Sequence, residues 1–262
     1  DSGQAGTSRQ SLRLRNGLVV AEVALALVLV IGAGLMYRTL ASLDRAGQAL
    51  ETDGVLTTRV RVPEARYPRP EDQRRFFREL MARLQSDPAI VTASGASSLP
   101  LGTIFAPKDV VTAAMKDPAR EGHQASYCEL LPGALETLGV PLLQGRLFTT
   151  ADDEKAPPVA VVSQSLARRL FPDASAIGQR VRLRDEPDSV GWHTIVGIVG
   201  DVVHYVDVGN QGDPTHAIYE PVYQQPIPRM SMLVHGRGDA TATAAAIRGA
   251  MRTIDPDLVA ED

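Results

Sequence analysis

GLVVAEVALALVLVIGAGLM, residues Gly17 to Met36, is a run of twenty residues whose one ionisable side chain is Glu22. As a helix rising 1.5 Å per residue it would reach roughly 30 Å, the thickness of a bilayer's hydrocarbon core. Strongly apolar residues surround all its faces, a pattern that a surface helix of a soluble protein does not tolerate. The apolar segment is also longer than that of a usual signal peptide and continues through Tyr37. The basic residues ahead of it and the small residues Gly32-Ala33-Gly34 keep a cleaved signal open as the rival reading. An uncleaved membrane span is the expectation. No second such run follows, so the chain reads as one anchor carrying one large soluble domain.

Working outward, Arg9, Arg13 and Arg15 precede the run with only Asp1 opposing them, whereas Arg38, Asp44, Arg45, Glu51 and Asp53 beyond it are balanced. Basic residues are retained on the cytoplasmic side, which puts the N-terminus inside and the large domain outside. Glu22 lies close enough to one end of the run for its carboxylate to reach the headgroups or a neighbouring helix. It reads as a snorkelling or helix-packing residue, with a proton-relay role as the alternative. The chain begins without an initiator Met and stops at Glu261-Asp262, so it is expected to be a fragment of something longer.

A net charge of −4 with scattered arginines leaves no basic stripe, which argues against nucleic-acid binding. Apolar residues at 44% and charged residues at 22% are ordinary for a folded domain, and the length suffices for a real core in two subdomains. The single cysteine, Cys128, excludes an intramolecular disulfide, and no neighbouring pattern tunes it as a reactive thiol.

After the span, residues 38–51 read as a helical stalk. Val55 to Val62 alternates as a strand with Thr58, Val60 and Val62 on one face. Pro70, with Glu71 and Asp72 in the first turn, opens a helix carrying Phe76, Phe77, Leu80, Met81 and Leu84, which Asp87-Pro88 stops. Ala89 to Ser97 is a small-residue strand, completing a strand–helix–strand unit. The middle is richer in strand pattern: Asp109–Ala114, Ser126–Leu131, Val159–Val162, Arg180–Arg184 and Thr194–Val203. Short helices are expected around Leu135 and Leu138, and after the cap Ser163. Leu142 to Arg146 is a turn-bounded segment, Asp152-Asp153-Glu154 an exposed acidic loop, and Ile218–Tyr223, broken by Pro221, a short or edge strand. Met230–His235 is the last strand. Asp239 then caps a helix with Ala244, Ile247, Met251 and Ile254 inward. This order predicts an α+β fold, an α/β layer split by an inserted β-rich module.

Few residues of the sequence stand in a pattern that carries chemistry. Lys108, Lys116 and Lys155 follow no glycine loop, so the chain is no P-loop ATPase. Gly197-Ile198-Val199-Gly200-Asp201 has the wrong spacing for a phosphate loop and reads as a strand end with a tight turn. His204, Asp207, Asp213 and His216 match no metal-ligand spacing and read as loop polarity. Ser163, Ser165 and Ser175 lack the context of a nucleophile elbow, and Asp152-Asp153 reads as a solvated turn. No catalytic, cofactor-binding or metal-ligating residue is assigned, no cofactor is expected, and the domain reads as a binding or force-transmitting module.

The order of segments resembles the MacB/FtsX-type ABC transporter permeases, most closely the duplicated orphan permeases with a MacB-like periplasmic core domain. The residues that carry the resemblance begin with Arg15 to Leu25 and Gly32 to Leu35 at the two ends of the span. Pro63 to Pro68 with Phe76 to Leu80, and Ser98 to Leu101, follow. Leu138-Gly139-Val140-Pro141-Leu142-Leu143-Gln144-Gly145-Arg146 with Phe148 is the most specific stretch. Pro157–Val162, Leu166–Pro172, Ile177-Gly178, Val196–Val202 and Tyr219-Glu220-Pro221 complete it, so the likeness covers roughly 14–257.

The resemblance implies a permease half: a cytoplasmic segment at 1–15, a transmembrane helix at 16–37, a stalk at 38–51, and a two-lobed periplasmic domain. The first lobe would be discontinuous, 52–103 with 225–262, and the second inserted at 104–224. Three further spans would follow in the whole protein. A separate cytoplasmic ABC ATPase subunit would drive motion that the outer domain relays to a periplasmic partner or substrate, in efflux or extraction from the membrane. Location in the bacterial inner membrane, contact with lipid, a homodimer or pseudo-dimer of permease halves and a periplasmic adaptor are implied as well. The alternatives are a secreted or membrane-tethered binding module without a transport role, and a tethered extracytoplasmic enzyme.

Overall fold

No proline interrupts residues 6–48, and in the computed structural model they form one unbroken helix, α1 (Gly6–Gln48). Every residue from Arg15 to Tyr37 on it is exposed, Glu22 included, and that stretch is long and apolar enough to cross a membrane. The structure describes residues 6–48, 54–100, 107–115, 117, 121–187, 190–204, 215–258 and 260–261. The chain divides into two units, Asp1–Gln48 and Ala49–Asp262.

The second unit begins with a layer built from both ends of its sequence: β1 (Val55–Arg61), α2 (Pro70–Ser86) and β2 (Ile90–Ala96) from the first end. Between the two ends run β3 (Lys108–Thr112), β4 (His123–Leu130), α3 (Ala134–Thr137), β5 (Leu142–Gly145), β6 (Val159–Ser163), α4 (Gln164–Leu170), β7 (Arg180–Leu183), β8 (His193–Val199) and β9 (Ala217–Pro221). The layer is then completed by β10 (Arg229–Gly236), α5 (Ala240–Ile254) and β11 (Ala260–Glu261).

The layer's strands lie in the order β11-β1-β10-β2, each neighbour antiparallel. β1 and β2 are therefore parallel with β10 between them, and β10 and β11 are parallel with β1 between them. Two split βαβ units interleave, the ferredoxin-like arrangement. Both crossover helices cover one face. α2 starts at Pro70, where no N–H is needed, and buries Phe76, Phe77, Leu80, Met81 and Leu84. α5 is capped by Asp239, which accepts from the Ala242 N–H at 2.8 Å, and buries Thr243, Ile247 and Met251. These side chains meet Val60, Val62, Met230, Met232 and Val234 of the strands. Each fully buried large side chain contributes about 1.5–3 kcal/mol.

Between β2 and β10 the chain builds a closed barrel. β4, β3, β7, β8, β6 and β9 pair in that order, and β9 returns to pair with β4 in parallel, closing the ring. Closure removes the exposed strand edges that an open sheet would leave. Val110, Ala125, Ala160, Val162, Val181, Leu183, Ile195, Ile198 and Ile218 form one core with α4. The alternate residues Cys128, Leu130, Val159, Val161, Val199, Ala217 and Tyr219 form another with Ala96 of β2, Leu233 of β10 and Leu135 and Leu138 around α3. This second core joins the barrel to the face of the first sheet that α2 and α5 leave open.

Three local expectations are corrected. The Ile218–Tyr223 stretch is no edge strand: every residue of β9 is buried and it is paired on both sides. Pro221 is tolerated because it ends the strand, where its carbonyl accepts from the Gln224 N–H at 2.9 Å. Residues 142–145 are a strand, β5, on β8. Gly197 sits inside β8, and β8 ends at Val199, within the 197–201 strand end but short of the expected Val203. There the backbones of β5 and β8 approach too closely for side chains. A Cβ on Gly197 would lie 2.3 Å from the Arg146 carbonyl oxygen, and one on Gly145, at φ +78°, 2.1 Å from that of Val196.

Candidate functional site: the junction between the helical layer and the barrel

The inward stripe of α2 leaves Arg78 on its flank, facing the segment that leads into β6. Arg78 Nη2 donates to Glu154 Oε2 at 2.7 Å and Nη1 to Glu154 Oε1 at 3.4 Å, with Asp153 Oδ2 3.7 Å from Nη2. The guanidinium carbon also lies 4.9 Å from the centre of the Tyr223 ring, just beyond β9. This two-pronged, charge-assisted contact holds the Glu154 carboxyl below the usual carboxylate range. Burial pushes the Tyr223 hydroxyl up to about 12, so the ring faces the cation as a neutral phenol.

Gln224 grips the same segment from the barrel side. Its amide nitrogen lies 3.0 Å from the Pro157 carbonyl oxygen and 3.2 Å from that of Asp153, and its own oxygen accepts from the Val159 N–H at 3.1 Å. Residues 153–157 are therefore held between α2 and the end of β9.

Of the acidic stretch 152–154, Glu154 is exposed and Asp153 half-buried, but Asp152 is not solvated. Asp152 is 4% exposed and accepts from both terminal nitrogens of Arg146 at 2.8 Å and from the Thr149 N–H at 2.8 Å. Burial alone would push this carboxyl up, but the Arg146 and Thr149 hydrogen bonds reverse that and hold it below its ordinary value. The GRxF part of the resemblance thus has a physical role: Gly145 permits the close crossing, Arg146 holds Asp152, and Phe148 is buried in the core that joins barrel and sheet. A second tie lies across the helical layer. Arg66 is paired with Asp255 and with Asp257, the latter at 2.7 Å, and the Tyr67 hydroxyl donates to Asp255 Oδ2 at 3.1 Å. The Arg66 bond is the main cause of the lowered Asp255 pKa.

The other residues weighed from sequence take structural places. His204 Nε2 is 2.6 Å from the Tyr219 hydroxyl, and burial lowers its pKa to about 4. His216 is half-buried, and Asp207 and Asp213 lie outside the described residues. Ser163 caps α4 and accepts from the Ala217 N–H at 2.9 Å, Ser165 bonds Asp201 and the Thr215 carbonyl, and Ser175 is exposed. Burial pushes the Cys128 thiol up to about 12, which suppresses the thiolate.

Sequence reading missed Arg78 and Gln224, whose partners are set by the barrel's closure and leave no local pattern. It also missed a buried group at one end of the barrel formed by Glu186, His193 and Glu220.

A family model described as the MacB-like periplasmic core domain matches residues 17–254. No curated protein matches. Among solved structures, the periplasmic region of MacB from Actinobacillus actinomycetemcomitans is similar at 13% identity with a TM-score of 0.52, over 82% of this chain and 91% of that one. The extracellular domain of the noncanonic ABC-type transporter YknZ from Gram-positive bacteria aligns at 12% identity with a TM-score of 0.47, over 77% of this chain and 95% of that one.

Proposed function

This chain belongs to the MacB-like periplasmic core domain family of ABC-transporter permeases, and we propose that it relays motion driven by a separate cytoplasmic ATPase to a partner or substrate outside the membrane. The family is one of transporter permease domains, not of enzymes, and the apolar helix Arg15–Tyr37 supports membrane anchoring. In this reading the anchor lies in the bacterial inner membrane with the large domain in the periplasm. Residues 52–103 with 225–262 form the first lobe, and 104–224 the inserted one. The permease half works as a homodimer or pseudo-dimer beside its ATPase, with a periplasmic adaptor as a further partner.

One observation carries the relay: Ala96 and Leu233 of the sheet share a single buried core with Cys128, Val161 and Tyr219 of the barrel. Close-packed interiors transmit displacement with little compliance, so a push on one lobe arrives at the other. The clamp on residues 153–157 and the Arg66–Asp255 tie support the same reading from the surface.

The test is co-purification from membranes of the whole permease with its cognate ATPase, followed by reconstitution into vesicles. Leu233→Ala should lower transport per ATP hydrolysed while ATP hydrolysis continues. Turnover of a substrate by the outer domain alone, or recovery of the whole protein in the soluble fraction without detergent, would overturn the proposal.

A further inference from the structure

One end of the barrel interior holds an imidazole between two carboxylates. His193 opens β8 on the same strand face as Ile195, and Glu220 lies on β9 on the face of Ile218. β6 separates these two strands, so His193 and Glu220 meet across the interior and not along a ladder. Glu186 closes the end from the turn after β7. His193 Nε2 is 3.6 Å from Glu220 Oε1, and His193 Nδ1 is 3.9 Å from Glu186 Oε2. One ligand atom from each residue lies within 4.8 Å of the others.

His193 and Glu220 are fully buried, yet both ring nitrogens of His193 and Oε1 of Glu220 have no hydrogen bond. A buried polar atom without a partner is costly, and a ring nitrogen and a carboxylate oxygen left so beside one another call for a common partner. The carboxylates are aimed by the protein: Tyr127 Oη donates to Glu220 Oε2 at 2.9 Å, and the Leu183 N–H donates at 3.3 Å to Glu186 Oε2, the oxygen that faces His193. Such outer contacts are what orients metal ligands. A neutral imidazole carries one N–H, so it cannot satisfy both neighbouring carboxylates. Two ligands bound to one tetrahedral zinc would sit about 3.4 Å apart, close to the observed His193–Glu220 spacing.

We propose that Glu186, His193 and Glu220 form a binding site for a divalent cation of the zinc class, which staples the turn after β7 to β9 across the barrel. One imidazole nitrogen and two carboxylate oxygens are a donor set for zinc or its first-row neighbours, whereas calcium and magnesium favour oxygen alone. Two positive charges cancel the two carboxylates, and the cation takes up Glu220 Oε1 and one His193 nitrogen, leaving the other ring nitrogen as the imidazole N–H. Such a site departs from the sequence expectation of no metal ligands and stands independently of the transport reading. Protons are the competing occupant. Burial, reinforced by the Glu186 charge, pushes the Glu220 carboxyl well up, and burial lowers His193 to about 4.

The test uses the full chain in detergent, stripped with a chelator and titrated with Zn²⁺ against a chromophoric indicator, and with Co²⁺ followed by visible absorption. The expected result is stoichiometric binding, cobalt bands of a nitrogen- and oxygen-ligated site, and a rise in Tm with Zn²⁺. His193→Gln and Glu220→Gln should weaken binding by more than the roughly 10–100-fold that loss of an outer-shell partner costs. The exposed Glu136→Gln should leave it unchanged. Should those variants fail to fold, zinc-edge absorption of the unaltered chain decides, because one imidazole must appear among the ligands. Absence of stoichiometric binding by the folded chain at millimolar Zn²⁺, undiminished binding by folded variants, or an edge spectrum without imidazole overturns the site.

Discussion

Arg78 of α2 and Glu154 of the segment before β6 face one another through both terminal guanidinium nitrogens, at 2.7 and 3.4 Å, with the Tyr223 ring against the cation. One pair thus links the helical layer, the lead into β6 and the turn after β9. The side chains are 40% and 30% exposed, so water screens their attraction. Their value lies in the angle that a forked contact imposes, more than in its energy.

A double-mutant cycle of Arg78→Ala and Glu154→Gln should therefore give a coupling of only about 0.2–1 kcal/mol. Amide exchange in residues 153–157 should nevertheless quicken in either single variant, while β10 stays protected. Unchanged exchange in that segment would show that Gln224 alone holds it.

The glycines offer a ranking that needs no absolute energies. Gly178 has φ +82° and open space around it, so Gly178→Ala should cost only the left-handed strain of about 1–2 kcal/mol. Gly145 adds a backbone carbonyl 2.1 Å from any Cβ, so Gly145→Ala should cost distinctly more or prevent folding. Gly249 lies in α5 with nothing near it, and Gly249→Ala should stabilise by about 1 kcal/mol. A midpoint for Gly145→Ala at or above that of Gly178→Ala would contradict the close crossing of β5 and β8.

Much of this fold was legible because period and caps are local. The Phe76–Leu84 stripe, the caps at Ser163 and Asp239 and the alternation through Val60 and Val62 all emerge as read. The unbroken apolar run likewise becomes part of one helix, α1. What stayed hidden is what closure decides. Pro221 made β9 look like an edge, but nothing local shows that β4 will pair in parallel along its length. The need for glycine at 197 is invisible locally because its reason, the Arg146 carbonyl, lies just after another strand. Asp152 looks solvated until Arg146 folds over it. His193 and Glu220 sit on strands that are not even neighbours, so no spacing rule could have joined them.

Leu233 tests whether sheet and barrel behave as one body. It is fully buried on the face of β10 opposite Met232, in the core shared with Tyr219 and Val161. Leu233→Ala should cost about 2–5 kcal/mol, as a truncation in a close-packed interior does. If sheet and barrel form one cooperative unit, probes in each should lose structure together in denaturant. Met232→Ala, on the helical side of the same strand, serves as the matched control. A barrel that unfolds at its unaltered midpoint while the sheet is weakened would separate the two lobes mechanically.

Acid sensitivity should come first from histidine and only later from carboxylates. Burial lowers His204 and His193 from 6.5 to about 4, so each is neutral in the folded chain at a pH where the unfolded chain has already bound a proton. The sign follows directly: their contribution is fully present above pH 6.5 and is lost progressively as pH falls through about 4. Desolvation, the first cause at His123, acts in the same direction there. The lowered carboxyls of Asp72, Asp152, Glu154 and Asp255 add their own loss below the ordinary carboxylate range. One proton bound on unfolding corresponds to a slope of about 1.4 kcal/mol per pH unit. His204→Gln keeps a polar partner for the Tyr219 hydroxyl but removes one titrating ring. Denaturant midpoints measured from pH 7 to pH 4 should therefore fall less steeply in this variant, by up to that slope. Parallel curves would mean that the His204 ring takes up its proton over the same pH range in the folded and the unfolded chain.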